Sequence, residues 1–358
     1  MVCVLHKGII VVPPTARSSG PWLDATRATP FQRVANRPIV CHVLDALQAS
    51  GVAEAAVVTP PDVADEISAS IDADGPSGIE IEHLVAPEDH GELSQTLRTA
   101  ADFVGDAPCI LHRGDGILGQ PLRPFAEQLH SQSDDVLLLV EQDPRSARRL
   151  RIVSPPQAGL SDLDQLSADH GTAGVCLLGG RMLRHALDSE WNAQGLDFTA
   201  VAYPLARNGR QVRTQGVRDW RHFTGDTLDL LDMNRTILDA MESSSMTTED
   251  EGSRFEGCVV IDPTASVRSS VIVGPAIIGA NAIISDSYIG PHTSIGDGAR
   301  IEGAEIERSI VLAGASILHV GGRLVASVVG REARIFRDFS MPRALRLQVG
   351  DGDEVALC

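Results

Sequence analysis

Lysine is almost missing from this chain: of its 30 basic residues only Lys7 is a lysine, and the others are arginines. Chemistry that needs an ammonium group at two places is therefore excluded. Positive charge as a whole is scarce, with a formal net charge of −18. Such a surface repels phosphodiester backbones and anionic lipid, so neither nucleic acid nor a membrane surface is an expected partner. Apolar runs are short as well. The longest obvious one, residues 136–140, is bracketed by Asp135 and Glu141 and falls far below the roughly 18 residues that span a bilayer. The first seven residues lack the basic segment and long apolar stretch of a secretory signal, which predicts a cytoplasmic protein. The six cysteines (Cys3, Cys41, Cys109, Cys176, Cys258, Cys358) are scattered without a C-x-x-C pair, giving little support to a disulfide framework or a zinc site.

What is present is a folded composition, 43% hydrophobic and 22% charged, in 358 residues, enough for two domains. Residues 7–12 (K-G-I-I-V-V) and 53–59 read as β-branched strands. Between them Val40, Val43, Leu44 and Leu47 form an i, i+3, i+4, i+7 stripe that predicts a helix over 38–50, ending at Gly51. The alternation continues with a helix near 63–71, a strand near 79–84, a helix near 93–103 and a buried strand at 109–112. This pattern predicts an α/β, Rossmann-like, mainly parallel sheet over residues 1–241, with helices on both faces. Ligands of such sheets sit beyond the carboxyl ends of the strands, which directs attention to the loops after Val12 and His112.

Residues 242–254 are polar, without periodicity, and read as a linker. Beyond them Ile261, Ile278, Ile295 and Leu312 recur every 17 residues, as do Val267, Ile284 and Ile301, and Ile272, Ile289 and Ile306. Three interleaved apolar series describe a triangular coil with one aliphatic per side inside. The expectation is a left-handed parallel β-helix of hexapeptide repeats over 255–335, with four to five coils. Gly279, Gly290 and Gly296 each follow an inward residue, where a small side chain lets the corner turn. An uncapped end of such a stack invites pairing with another chain, so an oligomer is expected. The tail 336–358 is non-repetitive and reads as a cap or docking segment.

This arrangement resembles the sugar-1-phosphate nucleotidylyltransferases, in particular the long form of glucose-1-phosphate thymidylyltransferase. The matching stretches are V-A-N-R-P-I-V at 34–40, A-D-F-V-G-D at 101–106, R-G-D-G-I-L at 113–118, D-P-R at 143–145, T-G-D-T-L-D-L-L-D-M-N at 224–234 and R-A-L-R-L-Q-V-G-D in the tail. The resemblance implies that a sugar phosphate attacks the α-phosphate of a nucleoside triphosphate and releases pyrophosphate. Such a reaction needs a glycine-rich turn, cationic side chains and magnesium held by carboxylates.

Measured against the family pattern, much of that equipment is gone. The phosphate turn of type G-G-x-G-T-R is replaced by V-V-P-P-T-A-R-S-S-G, and Pro13 and Pro14 remove two backbone donors. Arg17 is the residual candidate for the family arginine, beside the plainer reading of an exposed loop arginine. The positions of the two family lysines fall at Ala28–Thr29 and near residues 151–156. Arg27, Arg33 or Arg151 could supply charge there, but not an ammonium's geometry. Asp115 matches the first magnesium aspartate, although it could merely close a strand-to-loop turn. The second position, in W-R-H-F-T-G, is Phe223, whose phenyl ring cannot coordinate magnesium; Asp219 and His222 are near it in sequence, with side chains expected to point elsewhere. The base-reading glutamine is replaced by Ala86. The sugar-reading acid corresponds to Asp197, which could equally be a helix cap.

Three functions are then in play. The first is a degenerate nucleotidylyltransferase acting as a regulatory, structural or ligand-sensing partner, with nucleotide or sugar phosphate as its ligand and itself or an active homologue as its partner in assembly. The second is a working transferase with a rebuilt site on Arg17, Arg113 and Asp115, using magnesium. The third is acyl transfer on the β-helix with His292 or His319 as base.

Overall fold

The computed structural model describes residues 7–13, 32–87, 93–129, 135–141, 172–189, 197–241, 248–250 and 252–337. In chain order the first part contains β1 (Lys7–Val11), β2 (Arg33–Val34), β3 (Arg37–Pro38), α1 (Ile39–Ala49), β4 (Glu54–Thr59), α2 (Ala64–Asp74) and β5 (Glu80–Val85). It continues with α3 (Leu93–Thr99), α4 (Ala101–Val104), β6 (Cys109–Arg113), β7 (Gly116–Leu118), α5 (Arg123–Gln128), β8 (Asp135–Glu141) and β9 (Thr172–Leu178). Then come α6 (Met182–Leu187), α7 (Thr199–Arg207), β10 (Gln211–Val217), β11 (Trp220–His222) and α8 (Thr227–Asp239).

Seven strands form one sheet in the order β10-β8-β9-β6-β1-β4-β5. All neighbours are parallel except β9, which runs antiparallel to β6 and β8. The mainly parallel sheet read from the alternation is therefore present. Its five inner strands are buried on both faces, as crossover helices require, while the edge strand β5 is partly exposed. Along β1, Ile10 and the following Val12 enter the core on the α1 side, while Ile9 and Val11 enter the opposite core with Leu93, Leu97 and Val201. The α1 stripe of Val40, Val43, Leu44 and Leu47 is buried as its spacing demands. The helix read over 93–103 is broken at Ala100, whose φ of −95° and ψ of 0° leave the helical well.

The second part is a β-helix of five coils, with one strand of each coil in each of three parallel sheets. Ile272, Ile289 and Ile306, together with Ile284 and Ile301, are fully enclosed. Coils approach closely where the corner glycines lie: a Cβ on Gly296 would stand 2.6 Å from the Ala313 nitrogen. A corner ladder of serines repeats at the same period. The Ser253, Ser270 and Ser287 hydroxyl oxygens accept from the backbone N–H of Ser270, Ser287 and Ala304, respectively.

Two readings are corrected. The residue opposite Ile295 in the next coil is Val311, not Leu312, so that coil is one residue shorter. Leu312 packs instead among partly buried residues against α8. The stretch read as linker contains a strand, Thr248–Asp250, antiparallel to Ser253–Glu256. The tail read as a cap lies, from residue 338 on, outside the described residues.

The α/β part and the β-helix meet along α8. Asp226 caps this helix by accepting from the Leu228 N–H at 2.9 Å. Two turns on, Asn234 is fully buried. Its Oδ1 accepts from the Ala35 N–H at 2.8 Å and the Ser294 hydroxyl at 3.0 Å, and its Nδ2 donates to the His292 carbonyl at 3.1 Å. Asn36 adds a donation to the Ile295 carbonyl at 2.6 Å. Two of the stretches that carry the family resemblance, around 34–40 and 224–234, thus serve as the joint between the two parts.

Candidate functional site

The carboxyl edge of the sheet is organised around the turn after β6. The Gly114 N–H donates to the Val11 carbonyl at 2.8 Å, which ties the turn to the end of β1. The turn at Gly114 and Asp115 that follows β6 brings the Asp115 carboxylate back to Arg113. The guanidinium binds the carboxylate by two bonds, Nε to Oδ1 at 2.9 Å and Nη2 to Oδ2 at 2.7 Å. Asp115 is 2% exposed. Burial disfavours the charge on Arg113, but the adjacent Asp115 and, more weakly, Asp197 outweigh it, so its pKa is raised.

Trp220, on β11, and the stem of Arg113 both lie against Gly174. The indole is almost fully buried and lies over two residues that lack a side chain. A Cβ on Gly116 would stand 2.2 Å from the indole Cη2, and one on Gly174 would stand 2.5 Å from Cζ2 and 2.7 Å from Arg113 Cδ. Gly174 also has φ +51°, a conformation that glycine tolerates best. The indole is flanked by His112, with ring centroids 5.8 Å apart, and His222, 6.3 Å away. Burial pushes the His112 pKa down to about 4, so the ring is neutral at pH 7. Its Nδ1 lies 2.6 Å from the Arg113 carbonyl oxygen, which can only accept, so Nδ1 carries the hydrogen. The His222 pKa is lowered too, by burial and then by the charge of Arg113.

The other sequence-predicted residues fall into three groups. Arg17, Pro14, Arg27, Ala28, Thr29 and Arg151 lie outside the described residues. Several are accounted for structurally. Arg33 pairs with Asp74, which makes it part of the β2–β3 hairpin's anchor rather than a phosphate ligand. Lys7 donates to the Phe103 carbonyl at 2.6 Å, pairs with Glu54 at 3.2 Å and sits over the Phe103 ring. It stands at the amino end of β1, five residues or roughly 16 Å of extended chain from Val12. Ala86 is buried apolar core. Asp197 takes its capping role: it accepts from the Thr199 N–H at 2.9 Å and hydroxyl at 2.7 Å, and from the Thr172 hydroxyl at 3.3 Å. His292 binds Asp239 through Nε2 at 2.8 Å in the joint, and His319 lies 3.4 Å from Glu302 on the β-helix surface.

Phe223 forms the third group. Its N–H donates to the Asp115 carbonyl at 3.1 Å, so the two positions that the resemblance assigns to magnesium are backbone neighbours. The phenyl ring, however, is buried with Val34, Ile39, Ile117, Leu230, Met233 and Ile310, an apolar cluster shared by both parts of the chain. The described residues do not fit a divalent cation here. Asp115 has both oxygens engaged by a guanidinium whose positive charge repels another cation, and residue 223 offers no side-chain oxygen. Among the described residues there is also no group of three or more His, Cys, Asp or Glu side chains placed to hold a metal ion.

The sequence reading missed Trp220, His112 and Gly174 as parts of this site. The Arg113–Asp115 contact is made within the turn between β6 and β7, and the tryptophan over two glycines is a tertiary contact with no local signal.

No family model matches the chain. It is similar to a curated glucose-1-phosphate thymidylyltransferase of Streptomyces antibioticus, 29% identical over 350 residues, covering 93% of this chain and 94% of that protein. It is also similar to the low-salt glycan biosynthesis nucleotidyltransferase Agl11 of Haloferax volcanii, 26% identical over 342 residues, with 90% and 92% covered. Among solved structures, a Bacillus anthracis protein described as a glucose-1-phosphate thymidylyltransferase, in complex with a sucrose, shares the fold with a TM-score of 0.52 at 16% identity. That match covers 66% of this chain and 96% of the other. The resemblance read from the motifs is borne out.

Proposed function

We propose that this chain, which is similar to sugar-1-phosphate nucleotidylyltransferases over nearly its whole length, is a catalytically degenerate member of that group and acts as a regulatory or ligand-sensing partner in sugar-nucleotide metabolism. The observation that carries this reading is the closed Arg113–Asp115 pair. The Arg113 cation is engaged by the carboxylate that the resemblance assigns to magnesium, which opposes use of either by a triphosphate. The chain's one lysine is engaged at the far end of β1. Loss of a single charged transition-state group costs on the order of 100- to 1000-fold in rate, and several are missing here. Assembly with itself or with an active homologue belongs to the same reading, as does binding of a nucleotide or sugar phosphate without turnover.

The second reading, a rebuilt transferase, is favoured by end-to-end similarity to named enzymes and by the adjacency of positions 115 and 223. Purified full chain incubated with magnesium, sugar 1-phosphates and a panel of nucleoside triphosphates separates the two. The degenerate reading expects no pyrophosphate above the protein-free control. Magnesium-dependent release with any pair of substrates overturns it in favour of the second.

A further inference from the structure

The two ends of the β-helix differ. At its start the edge of Ser253–Glu256 is paired by Thr248–Asp250. At the other end Arg323–Val325, Val328–Val329 and Arg334–Phe336 are each the last strand of their sheet among the described residues. One coil below, the N–H groups of Ile310 and Ser316 donate upward, to the Ser327 and Ala333 carbonyls. Val328 and Arg334 stand over those two residues in register, so their N–H groups point past the end of the stack. The interior is open there as well. Leu324 and Ile335 are only partly buried, whereas Ile306 and Ile317 beneath them are fully enclosed. Val325 and Phe336 are 47% and 57% exposed. An open edge with an apolar rim is a template for pairing with another chain unless something covers it.

The chain carries a fitting cover directly after its last described strand. One 17-residue step beyond Leu324, Val329 and Ile335 come Met341, Arg346 and Gly352. An arginine and a glycine at inward positions exclude a sixth coil. Instead L-R-L-Q-V at 345–349 has the alternation of a half-buried strand, with Leu345, Leu347 and Val349 on one face, and the acidic run G-D-G-D-E follows at 350–354. The terminal coil, residues 321–337, has the opposite charge: four arginines against one acid, Glu332, in a chain of net charge −18. Arg323 is directed to the coil below, onto Glu305 and Glu307, which leaves Arg331, Arg334 and Arg337 as the basic set of the rim. A segment that starts at the rim closes over it at the cost of a short loop, while a second copy would give up its translational and rotational freedom.

We propose that residues 338–358 lie back across the terminal coil as its cap, with Leu345, Leu347 and Val349 on Leu324, Ile335 and Phe336 and the acidic run against the rim arginines. The cap takes this end out of the surfaces through which the chain can assemble, so an oligomer forms elsewhere. The proposal is independent of whether the chain turns over a substrate.

Hydrogen exchange of the full-length chain, read by mass spectrometry on peptides spanning 323–336, tests it. The double variant Leu345→Asp/Leu347→Asp is expected to exchange about tenfold faster there than wild type, with peptides over 272–306 unchanged. The triple variant Asp351→Asn/Asp353→Asn/Glu354→Gln removes only the charge and is expected to speed exchange about two- to threefold, a difference that disappears in high salt. Unchanged exchange at 323–336 in the folded variants overturns the proposal, and if the leucine variant does not fold, the charge variant decides alone. The wild type is also diluted until light scattering finds single chains. Protection of 323–336 that persists there supports a cap within the chain; protection lost on dilution assigns the cover to a second copy and overturns the proposal.

Discussion

The β-helix and the carboxyl edge of the sheet share one chain but answer to different constraints. In the β-helix every coil repeats the same demand, one aliphatic per side and a compact corner, so Ile272, Ile289 and Ile306 stack at a fixed period. At the sheet edge each position is singular. There the contacts are of different kinds: Trp220 lies over Gly116 and Gly174, Phe223 sits in an apolar cluster, and Arg113 pairs with Asp115. Burial is non-directional and tolerates exchange of one apolar group for another, whereas a phosphate or metal site is lost when one donor goes. A packed scaffold therefore tolerates exchanges that a donor set does not, and the joint along α8 is where the two regimes meet.

That joint gives the sharpest way to break the comparison. Asn234→Leu leaves the Ala35 N–H, the His292 carbonyl and the Ser294 hydroxyl without their partner inside a dry interface. At about 1–3 kcal/mol for each stranded group, partly relieved by relaxation, the expected loss is about 3–5 kcal/mol in urea unfolding. If the two parts were held mainly by the apolar cluster around Phe223, the loss would be under 1 kcal/mol and the polar joint would be incidental.

The fold was legible where its constraint is periodic or local. The α1 stripe, the β-branched strands and the three aliphatic series each carry their own period. Legibility failed where one residue shifts a count: Leu312 continues the 17-residue series on paper, but a coil shortened by one residue puts Val311 inside. The antiparallel course of β9 was equally invisible, because a buried antiparallel strand has the same apolar run as a parallel one. The sequence placed Asp115 just past the carboxyl end of a buried strand and Asp197 ahead of a helix, and both stand there beside β6 and α7. The pairing of Arg113 with Asp115 is local to a two-residue turn, but the packing of Trp220 against Gly116 depends on a contact across more than a hundred residues.

The sheet edge should also differ from the β-helix in its response to acid. The buried ring of His112 has its pKa lowered to about 4, against an ordinary value of 6.5. Between those values the unfolded chain binds a proton that the folded chain refuses. Stability is thus full above pH 6.5 and falls as the pH drops toward 4, by up to about 3 kcal/mol for this residue. His42 and His222 are also shifted downward and act in the same direction. Unfolding of wild type and His112→Asn at pH 7 and pH 4.5 isolates the share of His112. The variant should lose less on acidification, and an equal loss in both proteins would show that His112 is not a source of the acid sensitivity.

The smallest effects test the register of the β-helix. Val311 is fully enclosed opposite Ile295, whereas Leu312 is only partly buried against the α8 side. Truncating an enclosed valine to alanine leaves a cavity that neighbouring coils cannot close, so Val311→Ala should cost about 2 kcal/mol. Leu312→Ala removes more carbon from a less enclosed place and should cost about 1 kcal/mol, because its surroundings can collapse or hydrate. The order matters more than either value, since an unbroken 17-residue period puts Leu312 inside and predicts the reverse. A greater loss at Leu312 would return the coil to the period counted from the sequence, and with it the idea that the repeat runs unaltered through the face that meets α8.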